Sequence, residues 1–227
     1  KTGHYIGEGA HHSGELLTLN IGLPKVNDEK GDKFLLSPEM MSGSIISRDK
    51  FAHKNNFGHT LVVGGSQGLT GALIMASTAS LKVGAGLVST ATWAENYAEL
   101  ASRIIPEIMT GVIPTQKQDV EYIIRDLSRY DSIVIGPGLG VGPEARKVVL
   151  DVLNHFSGPV IVDADAIKVL SLTEDQDVLR SRKGATILTP HVGEFAGFIG
   201  AKVDEVLERP IQYLKELVEE INCCVVM

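Results

Sequence analysis

Short apolar runs rich in β-branched residues recur along the chain after about position 57. Six of them are bounded by glycine, proline or polar residues, namely "HTLVVG", "GLVSTAT", "DSIVIG", "GPVIVDA", "GATILTP" and "CCVVM". Runs of this length, enclosed by turn-forming residues, are typical of buried β-strands. The pattern therefore predicts six strands in this part of the chain.

The segments between these runs show the apolar spacing of helices. "EARKVVLDVLNHF" and "PIQYLKELVEEI" each place apolar side chains on one helical face, and Pro210 suits a first helical turn. Strands that alternate with helices favour a parallel sheet covered on both faces, with ligands at the carboxyl ends of the strands. The predicted fold class is α/β, with a central, mostly parallel sheet and helices on both faces.

Residues 1–47 lack this alternation. They contain the pair His11–His12, a charged stretch "NDEKGDK" and one apolar segment, "LLTLNIG", that predicts a short strand. We expect a linker or tail over residues 1–47 and one α/β domain over residues 48–227. The 227 residues suffice for one such core.

Composition narrows the classes of partner. The net charge is -7 and Lys and Arg form no cluster, so we expect no nucleic acid partner. No apolar run reaches the length of about 18 residues that a membrane helix needs, so we expect no membrane partner. Cys223 and Cys224 are adjacent in an apolar run, which predicts buried strand residues and fits a reducing cytoplasm.

Glycine-rich loops follow two of the predicted strands. The first is "GGSQGLTG" over residues 64–71, and the second is "GPGLG" over residues 136–140. Glycines let the backbone approach an anion closely, and the N–H groups of a following helix attract it. A plain strand-to-helix connection explains the first loop equally well. Two such loops at one sheet edge favour a nucleotide-like ligand.

Two further strand ends carry acid–base side chains. "VDADA" places Asp163 and Asp165 after one strand, and "LTPHVGEF" places His191 and Glu194 after another. Helix capping explains either aspartate without a ligand, and a surface histidine with a helix-starting glutamate is an ordinary arrangement. Two carboxylates at a strand end can also orient a hydroxyl or a hydrated magnesium ion. We assign Trp93 to a loop.

These motifs, in this order and spacing, closely resemble the ribokinase-like domain of the nucleotide-dependent NAD(P)H-hydrate dehydratases. The matching stretches are "HKNNFGHTLVVGGSQGLTGALIMASTASLKVGAGLV", "IGPGLG", "VDADA" and "LTPHVGEF", and the resemblance covers roughly residues 45–227. Before them, "GELLTLNIGLP" and "FLLSPEMM" resemble the segment that joins an NAD(P)H-hydrate epimerase domain to the dehydratase domain. The resemblance implies that an epimerase domain belongs to the same full-length chain.

The resemblance implies a repair reaction on a damaged dinucleotide. NADH or NADPH hydrated at C6 of the nicotinamide ring would be phosphorylated on that hydroxyl by ADP or ATP, with Mg2+. Elimination of phosphate would then restore NADH or NADPH. The resemblance also implies a homo-oligomer, a tetramer or larger.

The resemblance assigns roles by position. Substrate contacts are implied at Gly71, Ala72, Gly138, Gly140, Asp163, Asp165 and His191. Nucleotide or phosphate contacts are implied at Gly65, Ser66, Thr70 and Glu194, with Glu194 near the magnesium-bound phosphates as an indirect metal contact. The family's catalytic aspartate lies in a glycine-rich turn that we expect beyond Met227. We therefore expect a chain truncated at both ends that holds no catalytic residue of its own.

Three other classes stay open. The turn "VVGGSQGLTG" resembles the cofactor turn of short-chain dehydrogenases, but no Tyr-x-x-x-Lys pair follows, since Ala101 and Val134 stand four residues after Tyr97 and Tyr130. A ribokinase-like kinase acting on a vitamin precursor is a nearer alternative. A non-catalytic nucleotide-binding module is the third.

Overall fold

The computed structural model describes residues 2–17, 19, 21–22, 34, 36–43, 48–113, 127–171 and 174–227. The chain divides into two compact units, Lys1–Ala52 and His53–Met227.

The first unit contains short helices. A 3-10 helix spans Thr2–His4, helix α1 spans Gly7–His12 and helix α2 spans Pro38–Ser42. The strand expected in "LLTLNIG" does not form among the described residues of that segment, where Leu17 is 75% exposed and faces no partner strand. Thr18 and Asn20, together with the charged stretch at 27–33, lie outside the described residues.

The second unit is built on a seven-stranded sheet in which all paired strands are parallel. The strands are β1 (His59–Val63), β2 (Leu87–Trp93), β3 (Met109–Ile113), β4 (Ser132–Ile135), β5 (Val160–Val162), β6 (Thr186–Leu188) and β7 (Cys224–Val225). Their order across the sheet is β3-β2-β1-β4-β5-β6-β7. All six predicted strands are present, and the predicted fold class is confirmed.

Strand β3 was not predicted from the sequence. Its segment "MTGVI" contains Gly111 and, among the strands that the structure describes, pairs with β2 alone, as the outermost strand of the sheet. Met109 and Val112 are 44% and 43% exposed. An edge strand of this kind lacks the continuous β-branched run that marks a buried parallel strand.

The helices of the second unit connect successive strands and flank the sheet. They are α3 (Thr70–Val83), α4 (Tyr97–Arg103), α5 (Pro143–His155), α6 (Asp165–Ser171), α7 (Asp177–Ser181), α8 (Val192–Ile199), α9 (Val203–Glu208) and α10 (Pro210–Glu220). The two helices predicted from apolar spacing correspond to α5 and α10. In the described part of the chain, no helix combines the length and the apolar character needed to cross a membrane.

The core lies on the central strands. Val62, Ile133, Ile135, Val160 and Val162 are completely shielded from solvent. Burial of apolar side chains on both faces is what a parallel sheet covered by helices requires. The central strands therefore form a rigid base for the loops that follow them.

Arg182 ties the end of α5 to the start of β6 from inside the fold. It is 6% exposed. Its guanidinium donates to the carbonyl oxygens of Leu153, Phe156 and Gly158 at 2.8 Å each, and to the Thr186 hydroxyl at 2.9 Å. Burial lowers the pKa of this guanidinium from its usual value.

The two cysteines correct one detail of the sequence analysis. Cys223 is half-buried, whereas Cys224 on β7 is exposed. The prediction that both are buried is therefore wrong for Cys224, because within the described chain β7 pairs with β6 alone. Burial, and then the neighbouring Cys224, raise the pKa of the Cys223 thiol to about 11.

Candidate functional site

Four motif loops lie at the carboxyl ends of the strands, along one side of the sheet. Gly65, Gly138, Asp163 and His191 follow β1, β4, β5 and β6, whose carboxyl ends meet because these strands are parallel. The ladder of sheet hydrogen bonds continues into the loops. The amide of Gly136 donates to Val63 O at 3.0 Å, that of Asp163 to Ile135 O at 3.0 Å, and that of Thr189 to Val162 O at 3.2 Å.

The two glycine-rich loops are joined backbone to backbone. The amide of Gly65 donates to Pro137 O at 3.0 Å, and the amide of Ser66 donates to Gly138 O. A side chain at Gly64 would overlap the Pro137 carbonyl, and Gly65 has a φ of +76° that favours glycine. Contact between the loops therefore accounts for the glycine pair that ends β1.

This contact decides which groups of the first loop remain for an anion. The amides of Gly65 and Ser66 are engaged by the second loop, whereas those of Gln67 and Gly68 donate to no other group in the described part of the chain. The exposed tip of the loop and the partly exposed Ser66 hydroxyl are the groups that can receive a phosphate.

The Thr70 hydroxyl is engaged inside the fold. Thr70 is fully buried, and its hydroxyl donates to Glu99 Oε1 at 2.7 Å and accepts from Arg103 at 3.0 Å. The hydrogen bonds from Thr70 and then Arg103 lower the pKa of Glu99. The Thr70 hydroxyl therefore joins α3 to α4. Gly71 and Ala72, in the first turn of α3, are partly exposed.

The two aspartates of "VDADA" tie neighbouring loops together. Asp165 Oδ2 accepts from the amide of Gly140 at 2.9 Å, and Asp163 Oδ1 accepts from the Thr189 hydroxyl at 2.7 Å. Between them, Ala164 has a φ of +46°, a left-handed conformation that no other described non-glycine residue adopts. Strained backbone of this kind is frequent at functional sites.

His191 and Glu194 form a reciprocal cap on α8. His191 Nδ1 accepts from the amides of Gly193 at 3.0 Å and Glu194 at 3.3 Å, and Glu194 Oε2 accepts from the His191 amide at 3.1 Å. The helix-starting interpretation of Glu194 is correct, and the capping role of His191 was not predicted. The His191 side chain is nevertheless 70% exposed, with Nε2 at 3.4 Å from Glu194 Oε1, so its ring remains accessible to a ligand.

Two cavities border the β4–α5 loop. One of about 570 Å³ is lined by Val141, Lys168, Ser171, His191, Gly193, Glu194 and Gly197. The other, of about 460 Å³, is lined by Ser66, Gln67, Trp93, Glu95, Leu139, Gly142, Glu144 and Ala145. Both volumes are within the usual range for small-ligand sites.

Two residues of these cavities were missed or misplaced by the sequence analysis. Lys168 lies one helical turn after Asp165, with Nζ at 3.3 Å from Asp165 Oδ1 and 3.8 Å from Glu194 Oε1. The spacing of three residues on α6 is the signal that could have found it. Trp93 ends β2, is 7% exposed and donates to Leu139 O at 2.9 Å, so its assignment to a loop is wrong.

Carboxylates are the groups that could accompany a metal ion here. Within the residues that the structure describes, no three His, Cys, Asp or Glu side chains form a metal-binding cluster. Mg2+ commonly takes one or two carboxylates and completes its shell with water and substrate phosphates. Glu194 fits that lesser requirement in the presence of a phosphate ligand, whereas Asp165 is already paired with Lys168 and the Gly140 amide.

The fold and the loops at its carboxyl edge place the chain among the ribokinase-like α/β proteins. A ribokinase-like superfamily protein from Enterococcus faecalis has a TM-score of 0.70 at 24% identity, over 85% of this chain and 64% of that chain. The ADP/ATP-dependent NAD(P)H-hydrate dehydratase from Bacillus subtilis, co-crystallised with ATP and Mg2+, has a TM-score of 0.66 at 25% identity, over 83% and 64%.

The chain belongs to the NAD(P)H-hydrate dehydratase family, whose model matches residues 60–227. A bifunctional NAD(P)H-hydrate repair enzyme from Moorella thermoacetica is 34% identical over 95% of this chain and 42% of the relative. The ADP-dependent (S)-NAD(P)H-hydrate dehydratase from Lactiplantibacillus plantarum is 34% identical over 75% and 59%. The resemblance drawn from the motifs is confirmed. The chain spans less than half of the bifunctional relative.

Proposed function

We propose that the protein carrying this chain repairs hydrated NADH and NADPH at the expense of ADP or ATP. The observation that carries the proposal is the convergence of four strand-end loops on one sheet edge, beside two cavities of ligand size. Family membership gives this edge its chemistry. The C6 hydroxyl is phosphorylated, and the ring nitrogen expels phosphate to restore the reduced dinucleotide.

The exposed and polar groups of the edge divide between the two ligands. The Gly138–Gly140 turn, Asp163, Asp165 and His191 contact the hydrated dinucleotide, with Gly71 and Ala72 at the start of α3. The Ser66 hydroxyl, beside Gly65 and the start of α3 at Thr70, receives a phosphate. Glu194 would lie near the Mg2+-bound phosphates as an indirect metal contact, and the ion would offset the negative charge of the phosphates.

The wider organisation follows from the same family. Residues 1–47 are a tail of a preceding epimerase domain, and residues 48–227 belong to the dehydratase domain. The protein is cytoplasmic and forms a homo-oligomer, a tetramer or larger. The bifunctional relative from Moorella thermoacetica supports the two-domain arrangement.

The proposed function is tested by supplying purified NADH hydrate or NADPH hydrate as substrate and measuring the increase in absorbance as NADH or NADPH is formed. With Mg2+ and either ADP or ATP, we expect conversion by a chain extended through the glycine-rich aspartate turn of the family. Residues 1–227 alone should give none, because the family's catalytic aspartate is expected in that turn and a positioned acid–base group typically contributes about a hundred- to ten-thousandfold to the rate. A reaction without nucleotide is the control.

The outcomes separate two errors. Turnover by residues 1–227 would show that the catalytic base has been misplaced. Inactivity of the extended chain would contradict the dehydratase activity, and accumulation of a stable phosphorylated product from a vitamin precursor would favour the kinase alternative.

A further inference from the structure

Lys168 stands at the point where three of the motif loops meet. Its ammonium lies 3.3 Å from Asp165 Oδ1 and 3.8 Å from Glu194 Oε1. It also lines the larger of the two cavities, beside His191. No role was assigned to it by sequence or by family resemblance.

Each of the two carboxylates also contacts another group of the site. The second oxygen of Asp165 accepts from the amide of Gly140, in the loop after β4, at 2.9 Å. Glu194 Oε1 lies 3.4 Å from His191 Nε2, in the loop after β6. One continuous series of polar contacts therefore runs from the Gly140 amide through Lys168 to the His191 ring.

The charge of Lys168 holds this series together. The side chains of Asp165 and Glu194 are only 14% and 7% exposed, so water screens their mutual repulsion poorly. A cation between them lets both carboxylates stay close. Removal of this charge should therefore cost some stability, but because Lys168 itself is half exposed, water can reach the carboxylates and the fold should be retained.

We infer that Lys168 is a positioning residue, which sets the orientation of His191 through Glu194 and that of the Gly140 turn through Asp165. The inference rests on the proposed function as far as turnover is concerned. Its effect on the His191 ring is independent of any activity.

The kinetic test compares Lys168→Met with Lys168→Arg in the full-length protein. The methionine variant should raise KM for the hydrated dinucleotide at least tenfold, with kcat changed less than threefold, a smaller rise in KM for ADP because Glu194 also lies near the phosphates, and only a small decrease in Tm. Arginine keeps the charge and should restore KM to within about threefold of the wild-type value. Lys147→Met removes an exposed lysine of α5 and is the matched control.

The second measurement needs no turnover. The side-chain 15N resonances of His191, recorded without ligand, should move in Lys168→Met, return in Lys168→Arg and stay unchanged in Lys147→Met. Wild-type kinetics together with unmoved His191 resonances in Lys168→Met would overturn the inference. Equal loss of function in the arginine and methionine variants would also overturn it, because the charge would then not be the cause. An inactive wild-type protein with moving resonances would contradict the proposed function and leave the role of Lys168 supported.

Discussion

Gly136 shows at the scale of one residue how close packing constrains the site. Its φ is +123°, and a Cβ at this position would overlap the carbonyl oxygen of Asp163 and approach the Ala166 side chain to 2.8 Å. The backbone directly after β4 therefore packs against the "VDADA" loop. No other amino acid fits this position without moving one of the two loops.

Gly136→Ala should lower the free energy of unfolding by more than about 2 kcal/mol, because both the left-handed backbone and the overlap oppose the methyl group. Urea unfolding measures the change. Gly197→Ala on α8 is the control, since nothing lies within 4 Å of its added Cβ. The control should be neutral or more stable by about 0.5–1 kcal/mol. Equal destabilisation by the two variants would refute the steric explanation.

His191 has two separable tasks, the capping of α8 and the proposed contact with the hydrated dinucleotide. His191→Asn keeps a capping side chain and should raise KM for the hydrate more than KM for ADP, with Tm close to the wild-type value. His191→Ala should show the same kinetic change and lose about 0.5–2 kcal/mol of stability as well.

Steady-state kinetics and thermal unfolding measure the two effects of His191. His155→Ala, at the exposed end of α5, is the control for removal of a histidine. Unchanged constants for both ligands in His191→Asn would remove His191 from the substrate site.

The thiol of Cys223 offers a test that depends on pH. Because its pKa is raised to about 11, the folded protein keeps it protonated where an unfolded chain ionises it. The stabilisation that comes from keeping this thiol neutral is fully present below its unfolded-state pKa near 9, and it is lost as the pH rises through the folded-state pKa of about 11. At about pH 8.5, iodoacetamide should modify Cys223 at least tenfold more slowly in the folded than in the urea-unfolded protein. Mass spectrometry of its peptide gives both rates, and equal rates would contradict the burial.

At the scale of elements, Arg182 fastens α5 to β6 through four hydrogen bonds to neutral acceptors. Arg182→Met would leave three carbonyl oxygens and the Thr186 hydroxyl without this donor. We expect a loss of about 2–4 kcal/mol, because buried acceptors without partners are costly. Thermal unfolding measures it, and Lys183→Met, at the exposed neighbouring position, should stay within about 0.5 kcal/mol. A loss of similar size in both variants would show that the buried hydrogen bonds are not the cause.

The elements differ in how far the sequence predicts them. The central strands were predictable because burial on both faces demands continuous apolar runs such as "IVI" and "VIV". Strand β3 was not, since half of its side chains are exposed and its centre is Gly111. In "LLTLNIG" the sequence pattern predicted a strand that does not form among the described residues. Alternating apolar residues form a stable strand only where a neighbouring strand is present to pair with them.

The same division holds for the site. The placement of Asp165, His191 and Glu194 after strands followed from the sequence, because parallel strands bring their carboxyl ends together. The engagement of the Thr70 hydroxyl by Glu99 did not, nor did the contact of Lys168 with Glu194. Both depend on distances between side chains of different elements, which no local pattern encodes.

At the scale of the whole molecule, the hydrogen bonds of the sheet continue past the strand ends to the amides of Gly136, Asp163 and Thr189, which form the base of the site. These three residues therefore belong to the part of the sheet that unfolds locally most slowly. Amide hydrogen exchange should therefore be as slow at Gly136, Asp163 and Thr189 as in the core of β4, and at least a hundredfold faster at Gln67 and Gly68. Exchange at Gly136, Asp163 and Thr189 as fast as at Gln67 would contradict this prediction. Only the tip of the first loop is then left to be ordered when a ligand arrives. The residues at the base of the site lose their conformational entropy during folding, so ligand binding does not have to offset that cost.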